Sequence, residues 1–458
     1  MRVCVIGGGV SGLSTAFYLK RGGAQVKLLE RENYPGGKAR TYYEKGYIVE
    51  SGPNGFLDGK PDTLELVKLL GAEKLLYRSS DKARKRFIYK NGRLVRLPEN
   101  PIAFLSSYLL SWKGKVRVLG ELLVPPSEKE DETLAEFVRR RLGKEALDYL
   151  LDPMVAGIFA GDPERMSLKA AFPTIYRLER EYGGLIRGLI AKAKEAKKKG
   201  AKSSGPAGPG GVLTSFVKGM SQFTQLLAQE LGESFTPEAQ VKTLEKKKDK
   251  WLVTYTLRGK EKSEEFDAVV LSLPAYAAAQ VLKETSRELS ELLASIEYSP
   301  ISVVALGFEK RGLGHNLDGF GFLVPKVEGR KILGALWDSS VFPNRAPEGK
   351  ALIRVMIGGA RQPELALKSE EELTEIALKE LKRIMKIRHY PEMVKVFRHE
   401  KGIPHYTIGH AEKVERIFKL GRELGNLFFC NNAYKGVGIN DCTKSARETA
   451  EEVLNSLC

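Results

Sequence analysis

The stretch Val3-Cys4-Val5-Ile6-Gly7-Gly8-Gly9-Val10-Ser11-Gly12 decides how this chain begins to fold. An apolar run enters a glycine turn, after which Leu13, Ala16, Phe17 and Leu19 recur at helical spacing, predicting strand, tight turn and helix. In such a unit Gly7 makes the turn, Gly9 lets the backbone approach a pyrophosphate and Gly12 lets helix pack on strand. The helix start at Val10 and Ser11 offers N–H donors to the anion. A second strand, Gln25 to Leu29, ends at Glu30, whose carboxylate can accept both hydroxyls of an adenosine ribose and would repel a 2′-phosphate. The unit predicts a dinucleotide other than NADP.

Glu30 is followed by Pro35-Gly36-Gly37-Lys38-Ala39-Arg40-Thr41, where an NAD module would usually proceed to another helix. This glycine pair with basic residues resembles the two-dinucleotide-binding flavoproteins, the amine oxidase and carotenoid desaturase superfamily. The resemblance implies FAD, with Arg31, Gly37, Lys38 and Arg40 among its contacts, Val241 beside the adenine, and Gly52-Pro53-Asn54-Gly55 bringing backbone to the flavin ring. Near the end, a strand from Asn426 to Cys430 leads through glycines into a terminal helix, for which Asn440 or Asp441 is the expected N-cap. Backbone N–H groups at Val437, Gly438 and Ile439 would then meet the N1/O2 edge of a reduced flavin, its charge stabilised by the helix dipole.

The 458 residues carry Lys+Arg 74 against Asp+Glu 57, a net charge of +17, with 42% hydrophobic residues, enough for a large core in two or three domains. No apolar run approaches the roughly 18 residues that cross a bilayer, and Met1 leads straight into a strand, so a cytoplasmic protein is expected, either free or peripheral on the inner face of the cell membrane. Cys4, Cys430, Cys442 and Cys458 have no CxxC spacing and read as reduced thiols. The five histidines lack metal-ligand spacing, so no metal is expected. The lysines near residue 197 lack interleaved aromatics, which argues against nucleic acid. Without a second glycine fingerprint or a redox cysteine pair, a pyridine-nucleotide disulfide reductase is excluded, and electrons must pass to oxygen, a quinone or another small acceptor.

The expected fold class is α/β. A Rossmann-like FAD-binding domain is assembled from residues 1–75, 206–275 and 412–458. A helical, possible membrane-associating domain spans 84–190, a Lys/Gly/Pro loop 191–211, and a mixed-sheet substrate-binding domain 276–411. Trp251 to Leu257 reads as an exposed strand returning to the nucleotide-binding sheet, and Phe266 to Leu273 as a buried one. Pro101 to Trp112 is apolar with a basic flank, too short to span, and is either a one-leaflet anchor or a buried helix.

Ala433-Tyr434-Lys435-Gly436-Val437-Gly438-Ile439-Asn440-Asp441-Cys442 closely resembles the protoporphyrinogen oxidase family. Glu50 to Phe56, Lys85 to Tyr89, Gly157 to Asp162, Gly319 to Pro325, Met356 to Ala360 and Gly402 to His410 are similar to its signatures in the same order. The resemblance implies a porphyrinogen substrate, non-covalent FAD, and molecular oxygen as acceptor. Six hydrogens would leave in three turns, each moving a hydride to flavin N5 and, on reoxidation, giving hydrogen peroxide. It assigns Arg86 to a substrate propionate, Phe320, Leu323 and Met356 to an apolar clamp, and Gly157 with Ala156 to a loop facing the reacting ring. Gly55 stands where related enzymes often carry serine. Further partners it suggests are an anionic membrane surface and the next haem-pathway enzyme; a dimer is one option. Three other readings stay open: a coproporphyrinogen III oxidase, a flavin amine oxidase or carotenoid desaturase, and a flavin-binding protein without catalysis.

Overall fold

The computed structural model describes residues 1–198 and 211–456. Cys458 and most of the expected Lys/Gly/Pro loop lie outside them. A parallel sheet takes the strands in the order Phe235–Thr236, Gln25–Leu29, Arg2–Ile6, Ala268–Leu271 and Leu427–Phe429. Strand residues alternate between two cores, as a period of two requires. Val3, Val5, Leu28 and Val270 face the helices Val10–Arg21, Met220–Leu231 and Ile439–Ser456. Cys4, Ile6, Leu29, Val269 and Leu271 face the other layer.

That layer corrects one expectation. Trp251–Leu257 is not a strand of the nucleotide-binding sheet but belongs to the middle of a separate antiparallel meander, Ala239–Lys247, Lys250–Leu257 and Lys260–Phe266. Nor is it simply exposed: Trp251, Val253 and Tyr255 alternate inward and are wholly buried on the parallel sheet. The helices Ala275–Val281, Arg287–Ala294 and His410–Glu423 share this core, so residues 276–296 pack with the nucleotide-binding unit rather than with the substrate block.

A seven-stranded mixed sheet forms the second unit, in the order Met393–Pro404, Tyr298–Glu309, Lys350–Gly358, Gly334–Leu336, Gly321–Leu323, Arg86–Lys90 and Arg93–Arg96. Its core packs on the helix Glu370–Met385, which Ser369 and Glu372 start with a capping box. The last two strands correct the expected block 84–190. Arg86-Phe87-Ile88-Tyr89-Lys90 pairs in parallel with Gly321–Leu323, and the helical region begins only at Pro101.

The apolar segment from Pro101 is not one helix: Pro101–Ser106 ends, and Ser111 caps a new helix at Trp112 by accepting the Gly114 N–H at 3.1 Å. Farther on, Arg141, wholly buried, joins Glu121 and Glu179, and Glu121 also accepts the N–H groups of Leu185 and Ile186. The helices Leu134–Arg141, Pro173–Tyr182 and Leu185–Lys198 are thereby tied together. Among the described residues no helix is long and apolar enough to cross a membrane, no metal-binding cluster forms, and Cys4, Cys430 and Cys442 are buried free thiols.

Candidate active site

The three fingerprint glycines meet different surroundings. A Cβ on Gly12 would lie 1.8 Å from the Gly7 carbonyl oxygen, and Gly7 itself has φ +105°. A Cβ on Gly9 would meet nothing within 4 Å. The protein itself therefore requires Gly7 and Gly12, whereas Gly9 borders open space at the start of a helix that no side chain caps. That cradle fits a pyrophosphate. Glu30, 8% exposed, accepts the N–H groups of Gly8 at 2.6 Å and Glu32 at 2.8 Å. Burial raises its pKa while the two donors oppose the rise.

The second glycine pair is drawn onto the first: the Gly36 N–H donates to the Gly8 oxygen at 2.7 Å, and Gly37 takes φ +57°. The basic residues around it diverge. Arg40 stacks on Tyr34 and Tyr42, and Arg31 is exposed and paired with Glu32 at 2.9 Å. Lys38 turns to the carbonyls of Lys401 and Gly402, and burial lowers its pKa to about 8. Its ammonium is thus committed to main-chain oxygens. At Val241 the meander carries a bulge before Thr243, which disrupts the pairing of its backbone.

The loop Ser51–Gly55 is held from several sides. Arg354 donates to the oxygens of Glu50 at 2.8 Å and Gly52 at 3.1 Å and pairs with Asp338, which in turn accepts from the Asn54 amide at 3.1 Å. His399 Nε2 lies 2.8 Å from the Ser51 oxygen. A Cβ on Gly52 would fall 2.5 Å from the Lys38 oxygen, and one on Gly55 2.3 Å from the Thr214 oxygen. Gly55 is therefore dictated by the adjoining strand Leu213–Phe216, which accounts for the missing serine. Pro53 lies between these fixed points.

The terminal helix starts at Ile439, not after Asn440 or Asp441. Asn440 is occupied by Thr63 and Leu57, while Asp441 reaches back from the first turn to the Gly438 N–H at 3.1 Å and pairs with Lys60 at 3.0 Å. Val437 packs against the helical block.

On the substrate sheet, Arg86 lies opposite Gly321, its guanidinium 5.1 Å from the Phe320 ring centroid. Farther along, Leu323 approaches both Gly157 and Gly334, where a Cβ would come within 3.0 Å of it. Met356 pairs across the strands with Gly334 and packs with Ala156, Ala160 and Leu333. Met154 and Ile158 remain exposed on either side of Gly157. Of the six residues assigned to this end, Arg86 meets Phe320, Leu323 adjoins Gly157, and Met356 packs with Ala156.

A family model described as flavin containing amine oxidoreductase matches residues 10–454, nearly the whole chain just described. The chain belongs to this flavin-dependent oxidoreductase family. The chain is similar to a mitochondrial protoporphyrinogen oxidase of Nicotiana tabacum, 33% identical over all of this chain and 95% of the relative. A coproporphyrinogen III oxidase of Bacillus subtilis is 30% identical over 99% of this chain and 98% of its own. A solved structure from Exiguobacterium sp. 255-15, provisionally assigned as a protoporphyrinogen oxidase, superposes with TM-score 0.83 at 25% identity, covering 99% of this chain and 98% of that one.

For a flavin oxidoreductase, sequence reasoning missed Arg354, Asp338 and His399, which hold the Ser51–Gly55 loop. One signal was available: Arg354 interrupts the apolar run Ala351-Leu352-Ile353-Arg354-Val355-Met356-Ile357, and a cation in a buried strand implies a partner. The partners of the others come from distant segments with no local signature.

Proposed function

We propose that this enzyme oxidises protoporphyrinogen IX to protoporphyrin IX, with non-covalently held FAD and molecular oxygen as acceptor. The observation that carries the reading is the pairing of one cation with an apolar wall. Around the rim, Lys85 is paired with Asp318, Arg84 with Asp81 and Arg96 with Glu99, whereas Arg86 has no carboxylate within ion-pair distance among the described residues. A guanidinium without a carboxylate partner, over an aromatic face, suits a macrocycle carrying carboxylates on a single edge.

Gly9, Glu30, Gly37, Gly52 and the Gly438 turn would hold the FAD, which when bound supplies the hydride acceptor for three two-electron oxidations and is returned to its oxidised form by oxygen. Arg86 orients the substrate by its propionates. Phe320, Leu323 and Met356 exclude water from the ring, and Gly157, lacking a side chain, lets the macrocycle approach the backbone. Asp152, at the start of the Gly157 helix, is engaged by Arg361 at 2.6 Å and by the Lys326 N–H at 2.8 Å. With Asp152 so engaged, main-chain carbonyls beside Gly157 would orient the substrate by accepting its N–H hydrogen bonds, and the proton it loses passes to water. Exposed Ile102, Tyr108, Trp112 and Leu123, next to basic Lys113 and Arg117, fit an anionic membrane surface from which a poorly soluble substrate could enter.

The test is to purify the protein, record its flavin spectrum, and follow fluorescent porphyrin formed from protoporphyrinogen IX and coproporphyrinogen III in oxygen. Faster oxidation of protoporphyrinogen is expected. Preference for coproporphyrinogen reverses the substrate assignment, and no porphyrin from either with flavin bound overturns the reading.

A further inference from the structure

We infer that Tyr406 is a positioning residue for the cofactor: its hydroxyl pins both ends of the turn Asn432–Gly436 and so sets where the following helix presents its first N–H groups. The inference rests on the reading that the segment Val437-Gly438-Ile439 meets the flavin, with the Gly438 N–H engaged by Asp441. Tyr406 is 1% exposed. Its hydroxyl donates to the Asn432 oxygen at 2.5 Å and accepts the Gly436 N–H at 3.0 Å, so one phenol satisfies an acceptor and a donor of the same turn. Ala433 and Tyr434 pack the first part of the turn into the core, but Gly436 sits at φ +99°, where a Cβ would lie 2.6 Å from the Asp441 carboxyl carbon, so its last residue has no side chain to fix it there.

The phenol is itself held in place. The His410 ring stacks on it at 4.1 Å with 13° between planes, and the residue's backbone is anchored by the Ser167 N–H, which donates to the Tyr406 main-chain carbonyl at 2.8 Å. On its other side lies Phe159, ring centroids 6.1 Å apart, two residues beyond Gly157. The residue therefore joins the flavin-side turn, the helical block and the helix that carries the substrate-facing glycine. Nearby Tyr434 supplies a built-in comparison, for its hydroxyl is buried without a hydrogen-bond partner among the described residues.

The experiment compares Tyr406→Phe, Tyr434→Phe and the parent protein. For each, the dissociation constant for FAD, the rise in melting temperature that FAD produces, and kcat and KM are measured. Tyr406→Phe leaves two backbone groups unpaired, so its FAD dissociation constant is expected to rise roughly ten- to a hundredfold, with a smaller FAD-induced rise in melting temperature and KM within about twofold of the parent. Tyr434→Phe is expected to match the parent throughout. Parent-like FAD affinity in Tyr406→Phe, or a loss confined to the apoprotein's melting temperature, overturns the inference. A parent that binds no FAD instead overturns the functional reading beneath it. If Tyr406→Phe does not fold, His410→Leu removes the stacked ring and is expected to weaken FAD in the same direction by a smaller factor; unchanged affinity there also overturns the inference.

Discussion

Arg354 and Asp338 pair where the seven-stranded mixed sheet meets the loop Ser51–Gly55, at 2% and 1% exposure. Arg354 holds the loop by the oxygens of Glu50 and Gly52, and Asp338 holds it through the Asn54 amide. Removing one partner of such a pair leaves the other charged and buried, a loss of about 3–5 kcal/mol. Asp338→Ala is therefore expected to lower unfolding free energy by that amount in a urea titration of the holoprotein. Asp338→Ala combined with Arg354→Met, which removes both charges, is expected to recover a substantial part of it.

The glycine fingerprint separates folding from binding. Gly12→Ala drives a methyl onto the Gly7 oxygen, whereas Gly9→Ala points one into open space. Gly12→Ala should yield an unstable apoprotein. Gly9→Ala should leave the apoprotein's melting temperature within about 2 °C of the parent, on the scale of a sub-kcal/mol change, while its FAD affinity falls at least roughly tenfold, equivalent to about 1.4 kcal/mol. Thermal melts with and without FAD measure both.

These two cases show what could be read from the chain. The nucleotide end was legible because each glycine there answers a local demand, a turn, a close approach or a helix contact, all within ten residues. The substrate end was legible only through resemblance, since Phe320, Leu323 and Met356 look like ordinary core residues in their own strands. The strands Arg86–Lys90 and Arg93–Arg96 were absorbed into a helical block because their partner, Gly321–Leu323, lies more than two hundred residues away. The Tyr406 clasp has no local signature, and for the Arg354 pair the sequence offers only a cation in an apolar run without its partner, because the geometry exists only once distant segments meet.

Glu50 makes stability depend on pH. Its carboxyl accepts the Met220 N–H at 2.9 Å and the Thr41 hydroxyl at 2.8 Å and lies 3.6 Å from Arg345, yet burial outweighs these and raises its pKa from 4.5 to about 7. Between those values the folded protein keeps a proton that the unfolded chain has released, so stability falls as pH rises through the window and stays lower above it. The contribution is on the order of 3 kcal/mol. Glu50→Gln keeps the acceptor and cannot ionise, so its melting temperature should vary less between pH 5 and 8 than the parent's. Parallel pH profiles for the two proteins would show that Glu50 does not titrate there.

Arg86 should act on binding far more than on chemistry. Arg86→Ala is expected to raise KM for protoporphyrinogen by roughly ten- to a hundredfold, the loss of a charge-assisted pair of about 1.5–3 kcal/mol, with kcat changed by less than about threefold. Arg86→Lys keeps the charge but not the planar fork or its contact with Phe320, and should fall between the two. Steady-state kinetics with porphyrin fluorescence read this directly, and an equal fall in kcat would place Arg86 at the reacting ring instead of the rim.

The exposed apolar segment sets the last expectation. Ile102 is 81% exposed, Tyr108 87%, Trp112 69% and Leu123 87%, which is unusual for four large apolar side chains in one short stretch. Little packing depends on them, so changing all four to serine should leave the melting temperature within about 2 °C of the parent, as surface substitutions do. If they enter a leaflet, the parent should float with vesicles containing anionic lipid, more strongly than with neutral vesicles because Lys113 and Arg117 flank the segment, and the fourfold variant should stay at the bottom of the gradient. Flotation of both proteins alike would mean that the membrane is met elsewhere. Flotation of neither would mean that this surface does not insert, and that the substrate reaches Arg86 from solution.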